Sequence, residues 1–547
     1  MEVVTLCLML LLAVVVSGVA ARILPSALPR PLVQIALGAV IGSVAHIRVT
    51  LDPELFFLLL VPPLLFLDGW RIPKDELLRD GKIVLGLALG LVFLTVLGLG
   101  LFIHWLIPAM PMPVAFALAA VVSPTDPIAV GAIAQKVPIP RRMMHILEGE
   151  SLLNDASGLV CLRFAIAAAV SGSFAPGAAA LTFVWTALAG VVLGALVTWG
   201  AVEAKSALSR RFGDDPGSNI LVSLLIPFGA YLAAEHVHAS GVLAAATAGL
   251  TMTFVGGPAA TGAATRIRRR AVWDMLQFTL NGVVFVLLGE QLPEVFERAR
   301  HIVVETGHQS PWWLLGYAVS IVAALATLRF AWVWLSLQVT LFRARRRGDE
   351  PRAGPQGRLV VAMSVAGARG AITLAGALTL PLALDDGTPF PARDLVIFLA
   401  SCVILGSLVI AAVALPMLLR DLSLPADTDE AAERDRARTE AARAAIAAIE
   451  QVQHDMAEGR SDADRYTEIA ARLMDQYRER IDSLSLDDPQ RDHQSGRIER
   501  GLRLAALKAE RHAIFDLARH RHIRLAIAEQ LGRELDFMEE RLARLTV

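Results

Sequence analysis

Residues 149–158 read GESLLNDASG. Ahead of them stands MMHIL (143–147), apolar but for one histidine, and behind them LVCLRFAIAAAV (159–170). Glu150, Ser151, Asn154 and Asp155 therefore sit inside a run suited to oil. A charged side chain at the centre of a membrane helix costs about 2.5–3.5 kcal/mol on insertion scales. The cluster must be stabilised by partners or used for function, and the surrounding chain decides which.

The chain has 547 residues, 55% of them hydrophobic, and a net charge of −1. Its mean hydropathy is +0.54. This is an integral membrane composition, and the balanced charge points to no nucleic-acid partner. Cys7, Cys161 and Cys402 all fall in apolar runs, so neither a disulfide framework nor a metal motif follows. The first residues, MEVVTLCLMLLLAVVVSGVAA, lack a basic start and read as a retained transmembrane helix rather than a signal peptide.

Runs long enough to span a bilayer occur at 3–21, 31–47, 54–70, 82–107, 112–135, 142–170, 180–203, 219–235, 239–256, 272–292, 311–341, 358–382 and 394–419. The expected fold is thus all-α, with about thirteen transmembrane helices. Its weakest breaks are the short links near 108–112 and 236–239. Loops after odd-numbered spans carry twenty-two Lys and Arg, including RIRRR (266–270) and RARRR (343–347). Loops after even-numbered spans carry only Arg48, Arg298, Arg300 and Arg393. The positive-inside rule then puts the N-terminus outside and the C-terminus in the cytoplasm. Beyond 420 the chain turns rich in Ala, Glu, Arg and Asp with helical spacing. Residues 1–420 read as a membrane domain and 421–547 as a cytoplasmic helical tail. The HRH at 520–522 is a basic patch on that tail rather than a metal site.

Two further spans break their own rules. The fifth contains SPTDPIAV (123–130). Pro124 and Pro127 have no N–H, so the carbonyls of Ala120 and Ser123 lose their helical bonds. The turn unwinds, which is tolerated where it lines a cavity or is buried in protein. Asp126 is placed to cap the second half-helix. The twelfth contains GARG (367–370), with an arginine that must be paired. These spans occupy corresponding positions if spans 1–6 and 8–13 are inverted repeats, and paired interrupted helices point to a transporter's binding site. In the sixth span, Ser151 and Asp155 lie about 40° apart on one helical face. Glu150 and Asn154 form a second i,i+4 pair. One face offers Asp155 to an ion; the other sends Glu150 to a basic partner. Arg369 is the first candidate for that partner, with Arg163 and Arg329 competing.

FFLLLVPPLLFLDGWRI, SPTDPIAV, GESLLNDASGLV, YLAAEHVHASGVLAAATAGL and GARGAITLAGAL, in that order, resemble the NhaP/NHE-type monovalent cation–proton antiporters in their bacterial form. The resemblance covers about residues 1–420, and the tail looks similar too. It implies a scaffold bundle and a six-helix core, with unwound spans 5 and 12 crossing. It implies a homodimer in the inner membrane that exchanges Na⁺, or Li⁺ or K⁺, for H⁺, with no cofactor. Its ion site maps to Asn154–Asp155, with Ser151 and the Thr125 carbonyl as further ligands of Na⁺ and Asp68 on the ion pathway. Asp126, between Pro124 and Pro127, supports the unwound crossing, and Glu150 with Arg369 matches the buried salt bridge. Asn–Asp rather than Asp–Asp matches the electroneutral class. Glu148 and Glu290 depart from the pattern and are expected at helix ends.

The residue chemistry suits this reading. Burial disfavours a bare, ionised carboxylate, so Asp155 is neutralised either by a proton or by a cation. If only the neutralised site crosses between inward and outward forms, exchange follows and leak is suppressed. An intramembrane aspartyl protease also needs two membrane aspartates, but the YD and GxGD signatures are absent. No pore ring favours a channel, and no second site favours a solute symporter. There is no HExxH, and His236 and His238 fall on a short external link.

Overall fold

The structure is a computed structural model. It describes the chain apart from residues 1, 24–28, 46–52, 73–80, 82–83, 128–129, 132–138, 140, 172–175, 214, 256–262, 306–311, 348–355, 385–386, 421–427, 458–462, 486–488, 521, 523–526, 529–530, 533, 537 and 540–547. Several loop cations used to orient the chain, such as Arg48, Lys74, Lys136 and Arg352, lie outside the described residues. Two compact units result, Met1–Leu424 and Pro425–Val547.

Each of the thirteen apolar runs carries helix. In chain order these are α1 (Glu2–Ile23), α2 (Arg30–Ala45), α3 (Pro53–Arg71), α4 (Gly86–Leu106), α5 (Met112–Val122), α6 (Arg141–Ser171), α7 (Pro176–Phe212), α8 (Pro216–His236), α9 (Gly241–Val255), α10 (Ala263–Glu305), α11 (Trp312–Arg347), the two halves α12 (Gln356–Val365) and α13 (Ala371–Leu378), and α14 (Arg393–Leu419). Among the described residues the only extended pairing is a single bridge between Ala383 and Pro389. Among the described residues, seven helices are long and apolar enough to cross a membrane, and four more are shorter and apolar. The weak break near 108–112 is present because Pro111 and Pro113 open α5, while Met110 folds back on the Ile107 carbonyl. The break near 236–239 is made by His238, whose φ of 55° ends α8 in the left-handed region.

Helix also continues beyond the apolar runs. The tenth run was expected at 272–292, yet α10 extends over Arg266–Arg270 at one end and Arg300 at the other. Hydropathy marks where oil ends, not where helix ends, and Arg, Glu and Ala favour helix in water as well.

By their packing partners the helices sort into two bundles. The first holds α1, α2, α3, α7, α8, α9 and α10; the second holds α4, α5, α6, α11, α12, α13 and α14. Backbones in the first bundle touch closely: Gly38 and Gly42 of α2 rest on the carbonyls of Val286 and Glu290 in α10, leaving no room for a Cβ. Such contacts replace the hydrophobic drive that lipid removes. The second bundle has a small-residue core in α5, where Ala115, Ala117, Ala119 and Ala120 are fully buried. Its α4 begins with a π-helical turn, Gly86–Leu91, whose Ala88 carbonyl accepts from Ser157 Oγ at 2.9 Å. A π-turn leaves carbonyls displaced from the normal ladder, and Ser157 satisfies one of them from α6.

In the second unit, α15 (Thr428–Ala457) lies against α16 (Ala463–Ser485), tied by Gln453 to Thr467 at 3.1 Å. It is followed by α17 (Pro489–Arg519), whose Arg511 bridges Asp536 and Glu539.

Candidate functional site

The fifth span is helical to Val122, loses regular structure over Ser123–Asp126, and resumes helix at Pro127. The twelfth is broken over Gly367–Gly370. The two gaps cross, and the Asp126 N–H donates to the Ala368 carbonyl at 2.7 Å. In an unbroken helix that N–H would serve Val122. The orphaned Val122 carbonyl is instead reached by Arg369 Nε at 3.0 Å, and Arg369 also donates to the Gly367 carbonyl. Arg329 does the matching work on the other half-helix, with its Nε 3.1 Å from the Met363 carbonyl. Each broken span thus has an arginine at the carbonyl end of its first half, where the helix dipole favours a cation.

This arrangement corrects one sequence expectation. The buried salt bridge of Glu150 is made with Arg329, not with Arg369. Arg329 grips both carboxylate oxygens, Nη1 to Oε1 at 2.5 Å and Nη2 to Oε2 at 2.8 Å, and both side chains are 1% exposed. Arg369 is taken by backbone carbonyls that the unwinding sets free. The third candidate, Arg163, pairs with Glu235 of α8 at 2.7 Å on a half-exposed surface.

Glycines let the strands of this knot approach. A Cβ on Gly158, the last residue of GESLLNDASG, would strike the Pro124 ring and press on the Ala120 carbonyl. A Cβ on Gly370 would land on the Asp126 carboxyl. Gly370 is the N-cap of α13, so Asp126 lies at the positive end of that half-helix. Its own second half-helix is described only at Pro127, Val130 and Gly131.

Against the crossing lies a cavity of about 20 Å³ lined by Leu64, Asp68, Pro124, Thr125, Asp126, Ser151, Asp155, Asn281, Gly370, Ile372 and Thr373. A void needs roughly 10–15 Å³ on this measure to hold one water, so it has room for about one water-sized particle. Ser151 and Asp155 supply its α6 wall, both buried. Asn154 is absent from the cavity lining: its Nδ2 donates to Thr125 Oγ1 at 2.9 Å, and Thr125 Oγ1 lies 3.3 Å from Glu150 Oε1. The chain Asn154–Thr125–Glu150–Arg329 therefore fixes the Thr125 residue from behind. Asn154 Oδ1 and Ser123 Oγ, both buried, have no hydrogen-bond partner among the described residues.

A second, wider cavity of about 390 Å³ adjoins the first. Arg30, Arg71, Glu148, Asp274 and Gln277 are among its lining, together with Asp68 and Asn281. Neither extra acid stands at a helix end. Glu148 is two turns inside α6 on this wall, and Glu290 is buried within α10. Glu290 was misplaced because α10 runs beyond its apolar segment, whereas the bounds of α6 agree with the expected run and Glu148 falls well inside them.

Asn281, Thr373 and Ser157 were missed by sequence reasoning. Ser157 and Thr373 have hydroxyls that a membrane helix readily satisfies on itself, and Asn281 is a lone amide in a long helix, so only the tertiary arrangement marks them. No group of three or more metal-binding side chains occurs among the described residues. The oxygen-rich, carboxylate-bearing cavity instead suits a small hard cation.

The family model for the transmembrane part of sodium/hydrogen exchangers matches residues 9–421. The chain is 40% identical over 544 residues to the uncharacterized Na(+)/H(+) exchanger YjcE of Escherichia coli (strain K12), covering 98% of each. It is 36% identical to the sodium, potassium, lithium and rubidium/H(+) antiporter of Bacillus subtilis (strain 168), over 94% of this chain and 75% of that one. Among solved structures, the sodium proton antiporter MjNhaP1 from Methanocaldococcus jannaschii has a similar fold, with TM-score 0.59 and 19% identity over 77% of this chain and 99% of that one.

Proposed function

The chain belongs to the sodium/hydrogen exchanger family, and we propose that its transport cycle turns on Asp155 binding either a proton or a cation at the crossing of the two broken helices. It is a multi-pass membrane antiporter that exchanges Na⁺ for H⁺. The observation that carries the mechanism is the one-particle cavity in which Asp155 meets Ser151, Thr125 and Asp68. A hard monovalent cation entering it exchanges water for the oxygens of Asp155, Ser151 and the freed Thr125 backbone. Asn154 holds Thr125 and adds no charge. Asp126, between Pro124 and Pro127, supports the crossing beside α13.

In the cycle, Asp155 releases its proton as the cation arrives and regains one after the cation leaves. Bare and ionised, it is the costly state, so one cation is exchanged for one proton and turnover is electroneutral. The wide cavity contains Arg30 and Arg71, which lie on the Lys/Arg-rich side. By the positive-inside rule this side is cytoplasmic, so the conformation is inward-facing, with the N-terminus outside and the tail in the cytoplasm. We assign the protein to the inner membrane, as a homodimer, and its work to transport without a cofactor rather than to bond chemistry.

The test is cation-induced dissipation of a pH gradient in everted vesicles, with the membrane potential clamped and Na⁺, Li⁺ and K⁺ added in turn. The native protein dissipates the gradient and Asp155→Asn does not. Equal activity in the two proteins would refute the assignment of Asp155.

A further inference from the structure

Among the described residues, Asp68 and Asn281 alone are common to the linings of the wide and the narrow cavity. A cation moving from one to the other passes between them. The wide cavity, about 390 Å³, accommodates an ion with its hydration water, whereas the narrow one, about 20 Å³, has room for a single particle. The hydration shell is therefore shed at this junction, and each water lost must be replaced by another oxygen.

Asn281 lies on α10 with Gln277 and Asp274 at i−4 and i−7, one helical face that lines the wide cavity. The outer two groups are already engaged: Arg71 donates to Gln277 Oε1 at 2.5 Å and pairs with Asp274. No other described residue hydrogen-bonds the Asn281 side chain, and Asn281 lines both cavities. It belongs to the first bundle, whereas Asp155 belongs to the second.

Resting on the reading of the narrow cavity as the exchange site, we propose that Asn281 is a specificity-determining residue: its amide oxygen takes the place of a hydration water as the cation enters. Asp68 supplies charge, which draws any monovalent cation toward the junction from a distance. The neutral Asn281 oxygen weighs ion size, because a ligand held on a helix meets a small and a large cation at different distances. An asparagine that merely joined helices would affect all cations equally.

The experiment compares native protein, Asn281→Leu and Asn281→Asp in proteoliposomes, measuring KM and maximal rate for Na⁺, Li⁺ and K⁺. Leucine matches asparagine in size without the oxygen; aspartate keeps an oxygen in place. Asn281→Leu is expected to raise the KM for Na⁺ by about 3- to 10-fold, the effect of losing one hydrogen-bond-sized interaction. The ratios among the three cations shift, maximal rate changes less than KM, and Asn281→Asp restores the low KM. Native KM values and cation ranking in Asn281→Leu, or an equal fall in maximal rate for every cation with KM unmoved, would overturn the proposal. Where Asn281→Leu does not reach the membrane folded, Asn281→Ala replaces it with the same expectations. Asp155→Asn is run alongside: if it exchanges cations, the reading of the cavity fails, whereas an inactive Asp155→Asn with a native-like Asn281→Leu rejects the role of Asn281 alone.

Discussion

Three arginines in apolar surroundings have three different tasks, and the difference is measurable. Arg329 neutralises Glu150 where neither touches solvent, so Arg329→Ala leaves a buried carboxylate unpaired. That costs about 3–5 kcal/mol, and the prediction is a large fall in the thermal midpoint in detergent, with exchange lost. The Arg163–Glu235 pair has side chains 53% and 34% exposed; such pairs are worth roughly 0–1 kcal/mol, so Arg163→Ala leaves the midpoint almost unmoved. Arg369 binds carbonyls rather than a carboxylate. Arg369→Lys keeps the charge but not the planar fork that spans Val122 and Gly367, and exchange is expected to fall while Glu150 and Arg329 stay paired. Sequence alone identified Glu150 as needing a cation and named all three candidates. It did not rank them correctly, because the carbonyls that claim Arg369 become acceptors only when the two unwound segments cross.

At the scale of elements, the breaks themselves were legible. Pro124 and Pro127 remove two N–H groups, and Gly367 and Gly370 bracket an arginine, so both interruptions are written in residue chemistry. The i,i+4 spacing within GESLLNDASG separates the cavity wall, Ser151 and Asp155, from the Glu150–Asn154 face. The structure adds how closely α6 approaches the broken span. Gly158 rests on Pro124 and Ala120 with no space for a Cβ. Gly158→Val forces α6 outward, at a cost of about 1–3 kcal/mol for overpacking. Its expected signature is impaired cation exchange with a moderately lowered midpoint, and full activity in this variant would contradict the close packing. Gln277, Asn281 and Thr373 were not legible in the same way: one polar residue in a long helix looks alike whether it faces lipid, a neighbouring helix or a cavity.

For the whole molecule, apolar runs and Lys/Arg alternation pointed to a many-spanning helical membrane protein, which the shared fold supports, and the motif resemblance pointed to an antiporter, which the family match supports. They did not divide the helices into two bundles, since bundle membership depends on contacts far apart in sequence, such as α2 on α10 and α3 on α9. The wide cavity opens beside Arg71, which the charge bias assigns to the cytoplasm. In a variant lacking Cys7, Cys161 and Cys402, Gln277→Cys is therefore expected to react with a membrane-impermeant thiol reagent in inside-out vesicles and not in right-side-out ones. The central claim is that one carboxylate carries proton and cation in turn. Its most direct test is proton release on cation binding, followed with a pH indicator as Na⁺ is added to weakly buffered, detergent-solubilised protein. The account predicts release that approaches one proton per bound Na⁺ as the pH falls into the range where Asp155 is protonated, and none with Asp155→Asn. Na⁺ binding with no proton release at any pH, or equal release from the variant, would contradict it.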